Sequence, residues 1–167
     1  MPHRLLLVRH AKAGDAPVDA DRPLTGRGER QAAALGSWLA ESRLVPDVVV
    51  VSPARRAAQT WERAATRLGA APELVVEPRI YVNTVEAVLG AVRETDDDVQ
   101  TLAVVGHNPS IGQLAYDLDD GEGDPEARRD LEQGFPTAAV AVFTLATPFG
   151  EVAPETATLT HFRAFRG

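Results

Sequence analysis

The chain contains no cysteine, and this absence excludes several kinds of chemistry. Without thiols there is no disulfide framework and no thiolate metal site. Enzymes that attack their substrates with a cysteine nucleophile, including one class of phosphatases, are excluded for the same reason. Any covalent chemistry in this chain must therefore use another side chain.

Long apolar runs and an excess of positive charge are missing as well. The apolar run that starts at Leu5 is too short to span a bilayer and leads into charge rather than a small-residue cleavage site, so we expect no membrane partner, no signal peptide and a cytoplasmic protein. The formal net charge of −7 argues against a nucleic-acid partner, which would need a basic face. Any anion-binding site must therefore be local.

What is present suits one globular domain spanning residues 1–167, with 44% hydrophobic and 25% charged residues. Apolar runs alternate with helical periodicity in the order βαβαβαβα, followed by two strands. This order predicts an α/β three-layer sandwich, with a mainly parallel central sheet flanked by helices. The acidic, glycine-bearing segment 119–134 is predicted to loop outward. The predicted strands cover 5–8, 48–51, 74–76, 101–105, 138–145 and 157–165, and the predicted helices cover 25–42, 54–68, 84–94 and 110–118.

Three patterns that could indicate a cofactor or a metal fail on inspection. Gly26 and Gly28 lack the third glycine and the preceding strand of a dinucleotide-binding turn. The three aspartates at 96–98 are consecutive and cannot converge on one ion, and segment 117–121 has its glycine one place early for a calcium loop. We therefore predict no metal and no cofactor.

Polar side chains follow three of the predicted strands at the point where each strand ends. Arg9 and His10 follow the first strand, residues 52–56 (Ser-Pro-Ala-Arg-Arg) the second, and residues 106–108 (Gly-His-Asn) the fourth. The carboxyl ends of parallel strands lie at one sheet edge, where ligands bind in α/β folds. Two histidines and at least two arginines would then face one crevice beside helix N-termini, which favour an anion. The pattern predicts a phosphate-handling site.

These segments resemble the histidine phosphatase superfamily, and its SixA-type phosphohistidine phosphatase branch most closely. The motifs are Leu-Leu-Val-Arg-His-Ala at 6–11, Arg-Pro-Leu-Thr-x-x-Gly at 22–28, Ser-Pro-x-x-Arg-Ala-x-Gln-Thr at 52–60 and Val-Gly-His-Asn-Pro at 105–109. Their order and spacing are specific, and the likeness covers most of the chain. The resemblance implies a cofactor-independent phosphohydrolase with a phosphoglycerate mutase-like fold.

The resemblance also implies residue roles. His10 is the expected nucleophile, and Arg9, Arg56 and His107 are expected to hold the phosphoryl group. Positive neighbours should lower the pKa of His10 so that it attacks in its neutral form. Its second ring nitrogen needs an acceptor to fix the tautomer, either a backbone carbonyl or the region of Ser52.

Further residues of the matching motifs are weaker candidates. Ser52 and Asn108 are predicted to bind substrate, and Arg22 either approaches the phosphate or braces its loop, with both alternatives open. Arg55 is adjacent to Arg56 on a helix and cannot face the same pocket, so we expect it at the surface. Three other side chains are expected to be solvated or structural: Lys12, His3 and His161.

The general acid is the point at which this chain departs from larger relatives, which place a carboxylate after the third strand. Here segment 79–84 contains no acid, and Glu86 is the first one. An alkoxide leaves poorly without a proton, whereas a phosphoramidate nitrogen leaves more readily, so the absence favours a phosphohistidine on a protein. The first alternative is a phosphatase for small phosphorylated substrates that recruits Glu86 or an acid from 119–130. The second is a silent phosphate-binding module. The cognate partner and the oligomeric state stay open.

Overall fold

The structure is a computed structural model that describes residues 2–167, in which six strands form one sheet. The sheet order is β3-β2-β4-β1-β5-β6. β5 is antiparallel to both of its neighbours and is the one strand of this sheet that runs opposite to the others. The predicted α/β fold with a mainly parallel sheet is confirmed. The strands are β1 (His3–Arg9), β2 (Val48–Val51), β3 (Glu73–Val76), β4 (Thr101–Gly106), β5 (Val140–Leu145) and β6 (Ala157–Arg163).

Helices cover both faces of the sheet because neighbouring residues of β1 point to opposite sides. Leu6 and Val8 belong to a core with side chains of α1 and α2, while Leu5 and Leu7 belong to a second core with α4, α5 and α6. None of the helices in residues 2–167 combines the length and apolar character needed to cross a bilayer. The helices are α1 (Gly26–Glu41), α2 (Arg55–Ala65), α3 (Pro78–Val82), α4 (Val85–Arg93), α5 (Ser110–Leu118) and α6 (Pro125–Glu132).

Segment 119–134 corrects one prediction, because it contains α6 rather than a loop throughout. Asp124 caps the helix by accepting from the backbone N–H of Ala127 at 2.9 Å, and Pro125 occupies the first turn, where its missing N–H costs nothing. Only Ala127 and Leu131 are buried. So few apolar positions in eight residues give a weak helical pattern.

Two smaller differences concern strand and helix boundaries. β5 begins at Val140 rather than at 138, because Ala138 has a φ of 63°, which an extended strand cannot contain. The stretch after β3 forms the short helix α3, which starts with Pro78 and is capped after Val82 by Asn83, whose φ is 66°. This helix turns the chain back over the end of the sheet and places Tyr81 there.

The register of the sheet brings the three polar strand ends level. Arg9 pairs with Gly106 between β1 and β4, and Val51 pairs with Val105 between β2 and β4. The residues that follow are therefore delivered to the same edge, as the parallel arrangement predicts. The amino terminus of α1 is pressed against the chain just after β1, because a Cβ on Gly28 would lie only 2.0 Å from the carbonyl oxygen of Lys12.

Candidate active site

Two histidine rings lie side by side at the bottom of the crevice at this sheet edge. His10 follows β1 and is 9% exposed, and His107 follows β4 and is 4% exposed. Their ring centroids are 5.2 Å apart with planes tilted by 57°. The structure therefore brings together two imidazoles that are 97 positions apart along the chain (107 − 10).

The His10 ring has one nitrogen fixed and one available. Its Nδ1 lies 2.8 Å from the carbonyl oxygen of Ala11, which can only accept, so Nδ1 carries the proton and Nε2 has the free lone pair. Burial, with smaller contributions from the charges of Arg56, Arg9 and Arg22, lowers the pKa of His10 to about 4, although the Ala11 hydrogen bond acts in the opposite direction. The sequence argument named only the positive neighbours as the cause; burial is the larger one. His10 is neutral at pH 7 and can act as a nucleophile.

His107 is oriented by Ser52, which is completely buried. The Ser52 hydroxyl oxygen accepts from the backbone N–H of Ala54 at 3.2 Å and lies 2.8 Å from His107 Nε2. We assign the hydroxyl proton to Nε2, its only acceptor among the described residues, which places the ring proton of His107 on Nδ1. Burial, together with the charges of His10 and Arg56, lowers the pKa of His107 to about 3.

Two guanidinium groups flank the imidazoles. Arg9 donates through Nη1 to the carbonyl oxygen of Phe135 at 3.0 Å, and Arg56, only 7% exposed, donates through Nη1 to the carbonyl oxygen of Asp19 at 2.9 Å. The Nε of each arginine and Nδ1 of His107 are buried and make no hydrogen bond within residues 2–167. Three buried donors without partners beside the His10 lone pair suit a tetrahedral oxyanion. We call Arg9, His10, Arg56 and His107 the floor of the site.

The mouth of the crevice is formed by residues that are exposed, except for the half-buried Arg22, and we call them the rim: Val18, Asp19, Arg22, Tyr81 and Val82. Asp19 lies 3.1 Å from Arg56 Nη2 and 3.3 Å from Arg22 Nη1 through its two carboxylate oxygens. The Tyr81 hydroxyl donates to Asp19 at 2.6 Å, and its ring meets the His107 ring edge-on at 5.8 Å. These hydrogen bonds, the Tyr81 bond first, lower the pKa of Asp19 to about 2.

Sequence reasoning missed Asp19 and Tyr81. Asp19 is one of several acids in a loop and nothing in the pattern separates it from Asp15 or Asp21. Thr60 belongs to one of the matching motifs, but its structural role was not predicted. Its hydroxyl accepts from the N–H of Ala11 at 2.8 Å and donates to the carbonyl of Arg56, which ties the two motifs together.

Two of the weaker candidates, Arg22 and Asn108, hydrogen-bond to backbone groups around the site. Arg22 donates through Nε to the carbonyl oxygen of Gly14 at 2.8 Å in addition to its Asp19 pair, so the structure shows it bracing the loop. Asn108 donates to the carbonyl of Phe135 at 2.9 Å and accepts from the N–H of Gly112 at 3.1 Å. Both side chains hold neighbouring segments in place.

In the part of the chain that the structure describes, the remaining sequence candidates make no hydrogen bond or ion pair with a floor residue. Glu86 is exposed on α4, and Asp119 forms a bridge with Ala157, the β6 residue that belongs to the opposite end of the sheet. Arg55 is exposed, as predicted. Within residues 2–167, no group of three or more His, Cys, Asp or Glu side chains could hold a metal ion. The structure places three further residues as follows: Lys12 and His161 are exposed, and His3 is hydrogen-bonded to the carbonyl of Val99.

Comparison with known proteins identifies the family. Residues 5–81 match the histidine phosphatase superfamily (branch 1). The chain is 32% identical to phosphohistidine phosphatase SixA of Escherichia coli over 147 residues, which is 85% of each protein. A solved structure assigned to SixA of Nakamurella multipartitia superposes with a TM-score of 0.87 at 31% identity over the whole of both chains. A SixA structure in complex with tungstate gives 0.77 at 28% identity over 96% of each chain. The chain therefore belongs to the histidine phosphatase superfamily, in its SixA-type branch, and is a phosphatase with a histidine nucleophile.

Proposed function

We propose that this protein is a phosphohistidine phosphatase that removes a phosphoryl group from a histidine on another protein through a covalent intermediate on His10. The observation that carries the proposal is the floor itself. His10 has a free Nε2, and its neighbours Arg9, Arg56 and His107 each carry a buried donor that has no partner among the described residues. Tungstate, a tetrahedral oxyanion, binds the SixA relative, which supports the same kind of ligand here.

In the first step, the lone pair of His10 Nε2 attacks phosphorus on the face opposite the leaving nitrogen. The bond from Nε2 to phosphorus forms, the bond to the substrate nitrogen breaks, and its electron pair returns to that nitrogen. Arg9, Arg56 and His107 donate to the phosphoryl oxygens, where charge must be neutralised. The protein contributes mainly position and charge, and both are already set in the floor.

In the second step, water attacks the phosphoryl group on His10. The bond to Nε2 breaks and phosphate leaves with the water oxygen, while the water protons pass to phosphate and solvent. The Ala11 carbonyl keeps the Nδ1 proton in place, so His10 departs as a neutral imidazole in the tautomer that starts the next cycle. The same hydrogen bond therefore serves attack and release.

A phosphoramidate substrate is favoured because no protonated acid faces the floor. Asp19 is the carboxylate at the mouth, and with a pKa of about 2 it holds no proton to give to an alkoxide. Glu86 is exposed and makes no side-chain hydrogen bond within the described part of the chain. An ester of a poor leaving group would lack a proton donor here.

A protein-borne phosphoryl group is favoured by the surface beside the mouth. Val18 and Val82 are 57% and 64% exposed, and they neighbour Asp19 and Tyr81, which are bonded to each other. Apolar side chains around a polar pocket suit contact with another protein more than a small sugar phosphate. The contact would be small and transient, as expected for an enzyme and its phosphoprotein substrate.

The test is a rapid quench with a labelled phosphohistidine protein. We expect acid-labile label on the wild type, none on His10→Ala, and normal labelling of His161→Ala, which removes an exposed histidine. Turnover should also exceed that of a panel of alkyl phosphate esters. Faster turnover of the esters would instead identify a phosphatase of small substrates. Binding of phosphate without any trapped label would identify a silent phosphate-binding module.

A further inference from the structure

Asp19 occupies an unusual position for a carboxylate in a site built for anions. Its side chain is 52% exposed, yet both oxygens are held, one by Arg22 and the other by Arg56 and Tyr81. A negative charge beside the phosphate-binding Arg56 weakens the attraction for a phosphoryl group. The arrangement therefore calls for a role that offsets this cost.

Asp19 lies on the side of the site from which the leaving group departs. His10 attacks from the buried end, so the leaving group departs on the opposite side, toward the mouth where Asp19 and Tyr81 lie. Asp19 and a phosphoryl oxygen share the guanidinium of Arg56, which places them on the order of 6 Å apart, two hydrogen bonds in series. An imidazole ring with one further hydrogen bond spans such a distance.

We propose that the Asp19 carboxylate accepts a hydrogen bond from the distal ring nitrogen of the departing imidazole, and so selects phosphoramidates of imidazole over phosphate esters. This inference rests on the proposed function and identifies Asp19 as the residue that recognises the leaving group of the substrate. A carboxylate favours the protonated ring, in which one nitrogen bears phosphorus and the other bears hydrogen. That nitrogen–hydrogen bond is what an alkyl or aryl ester cannot offer.

The proton balance explains how the site works without a general acid. The substrate ring enters as a cation and the nitrogen–phosphorus bond breaks. The bonding pair stays on the departing nitrogen, and the ring leaves neutral with its proton still on the distal nitrogen. No proton has to be delivered to the reacting atom. Asp19 thus does for the substrate imidazole what the carbonyl of Ala11 does for His10.

Tyr81 is a positioning residue for Asp19. Its hydroxyl bond of 2.6 Å and the Arg56 pair fix one carboxylate oxygen, while the second oxygen faces Arg22 at 3.3 Å, a longer and weaker contact on an exposed side. The second oxygen therefore has lone-pair capacity left for a ligand. The edge-on packing of Tyr81 against His107 holds Tyr81, and through it Asp19, in a fixed position relative to the floor.

The test compares small substrates, so that it does not depend on a protein partner. Phosphoimidazole has the distal nitrogen that can carry hydrogen, N-methyl-N′-phosphoimidazolium has the charge but no such hydrogen, and p-nitrophenyl phosphate has neither. For Asp19→Asn, which keeps the shape and an oxygen for Arg56 and Tyr81, kcat/KM for phosphoimidazole should fall about tenfold or more relative to each of the other two substrates. Asp21→Asn removes the same charge two residues away, from an exposed side chain without an ion pair among the described residues, and should leave both ratios unchanged.

Equal losses on all three substrates would show that Asp19 only braces Arg56, and no change on any of them would show that it faces solvent; either result overturns the inference. A fall relative to p-nitrophenyl phosphate alone would mean that charge is recognised without the hydrogen bond, which also overturns it. The proposed function fails separately if wild type turns over phosphoimidazole but not a phosphohistidine protein.

Discussion

The floor and the rim of the site are built in opposite ways. In the floor, His10, Arg56 and His107 are buried and Arg9 is half-buried, and each residue ends or follows a core strand or lies in the first turn of the helix after one. The rim is exposed apart from the half-buried Arg22, and its members come from the loop before α1 and from the short helix α3. In the proposed mechanism the floor contains the atoms that attack and hold the phosphoryl group, and this group is the same in every substrate. The rim is expected to contact the leaving group, which is the part that differs between substrates. The comparison therefore predicts that floor variants lose catalysis in general and that rim variants change preference.

The largest effect should come from the floor, at Arg56. Arg56→Ala removes a guanidinium from the phosphoryl oxygens and takes away one of the three partners of Asp19, so kcat/KM should fall about 100- to 1000-fold on every substrate. Its neighbour Arg55 is exposed, and Arg55→Ala should stay within about twofold. Steady-state kinetics on a phosphoramidate and on p-nitrophenyl phosphate measure both. A loss confined to one substrate would place Arg56 with the rim.

The buried histidines should make stability depend on pH. Unfolded histidine has a pKa near 6.5, whereas the folded values are about 4 for His10 and about 3 for His107. Between pH 6.5 and 4 the unfolded chain therefore takes up protons that the folded chain does not, and folding stability falls, by on the order of 3 kcal/mol for each histidine.

Urea titrations at a series of pH values measure this dependence. In this pH window the slope of unfolding free energy against pH is the sum of contributions from His10 and His107. His10→Gln should remove the contribution of His10. His161→Gln, at an exposed position, is the matched control and should retain the wild-type slope. An unchanged slope in His10→Gln would show that His10 is protonated in the folded protein below pH 6.5.

A smaller effect is expected at Ser52, which supports the floor from below. Ser52→Ala removes the hydroxyl that sets the His107 tautomer and leaves a buried ring nitrogen unpaired, which should cost about 1 to 3 kcal/mol of folding stability. Activity on all substrates should fall together, because His107 then presents the wrong tautomer. Denaturant unfolding and kinetics measure the two effects. Ser110→Ala, another buried serine whose hydroxyl bonds the carbonyl of His107, is the control for stability alone.

The smallest effect is expected in the rim, at Tyr81. Tyr81→Phe keeps the ring against His107 and removes only the hydroxyl bond to Asp19. Preference for phosphoimidazole over p-nitrophenyl phosphate should fall a few-fold, by less than in Asp19→Asn, because Arg56 still holds the carboxylate. Tyr116→Phe, an exposed tyrosine on α5, should leave the preference unchanged. If Tyr81→Phe lowered the preference more than Asp19→Asn does, Tyr81 could not be acting only by positioning Asp19.

The floor could be predicted from the sequence because strand ends are fixed by periodicity. Four apolar residues followed by Arg9 and His10 give both the element and the edge at which the polar pair appears. The rim could not be predicted in this way. Asp19 acquires its role only through partners 37 and 62 residues away in the chain, Arg56 and Tyr81, and no local pattern encodes such contacts. Helix α6 was missed for a related reason, since its charged surface hides the two residues that it buries.

The loop that contains Asp19 is closed at its base, and this has a consequence for how the protein could be altered. Gly14 and Pro23 are joined by a backbone hydrogen bond of 2.8 Å, Ala13 and Leu24 form a bridge, and the N–H of Thr25 reaches back to the carbonyl of Lys12 at 3.0 Å. These contacts fix both ends of the loop next to the strand that carries His10, while Asp19, within the loop, contacts the floor directly through Arg56. Residues 15–22 can therefore be exchanged as a unit: transplanting the corresponding segment from another member of the superfamily, with an acceptor for Arg56 retained at position 19, should change leaving-group preference while His10 keeps its position.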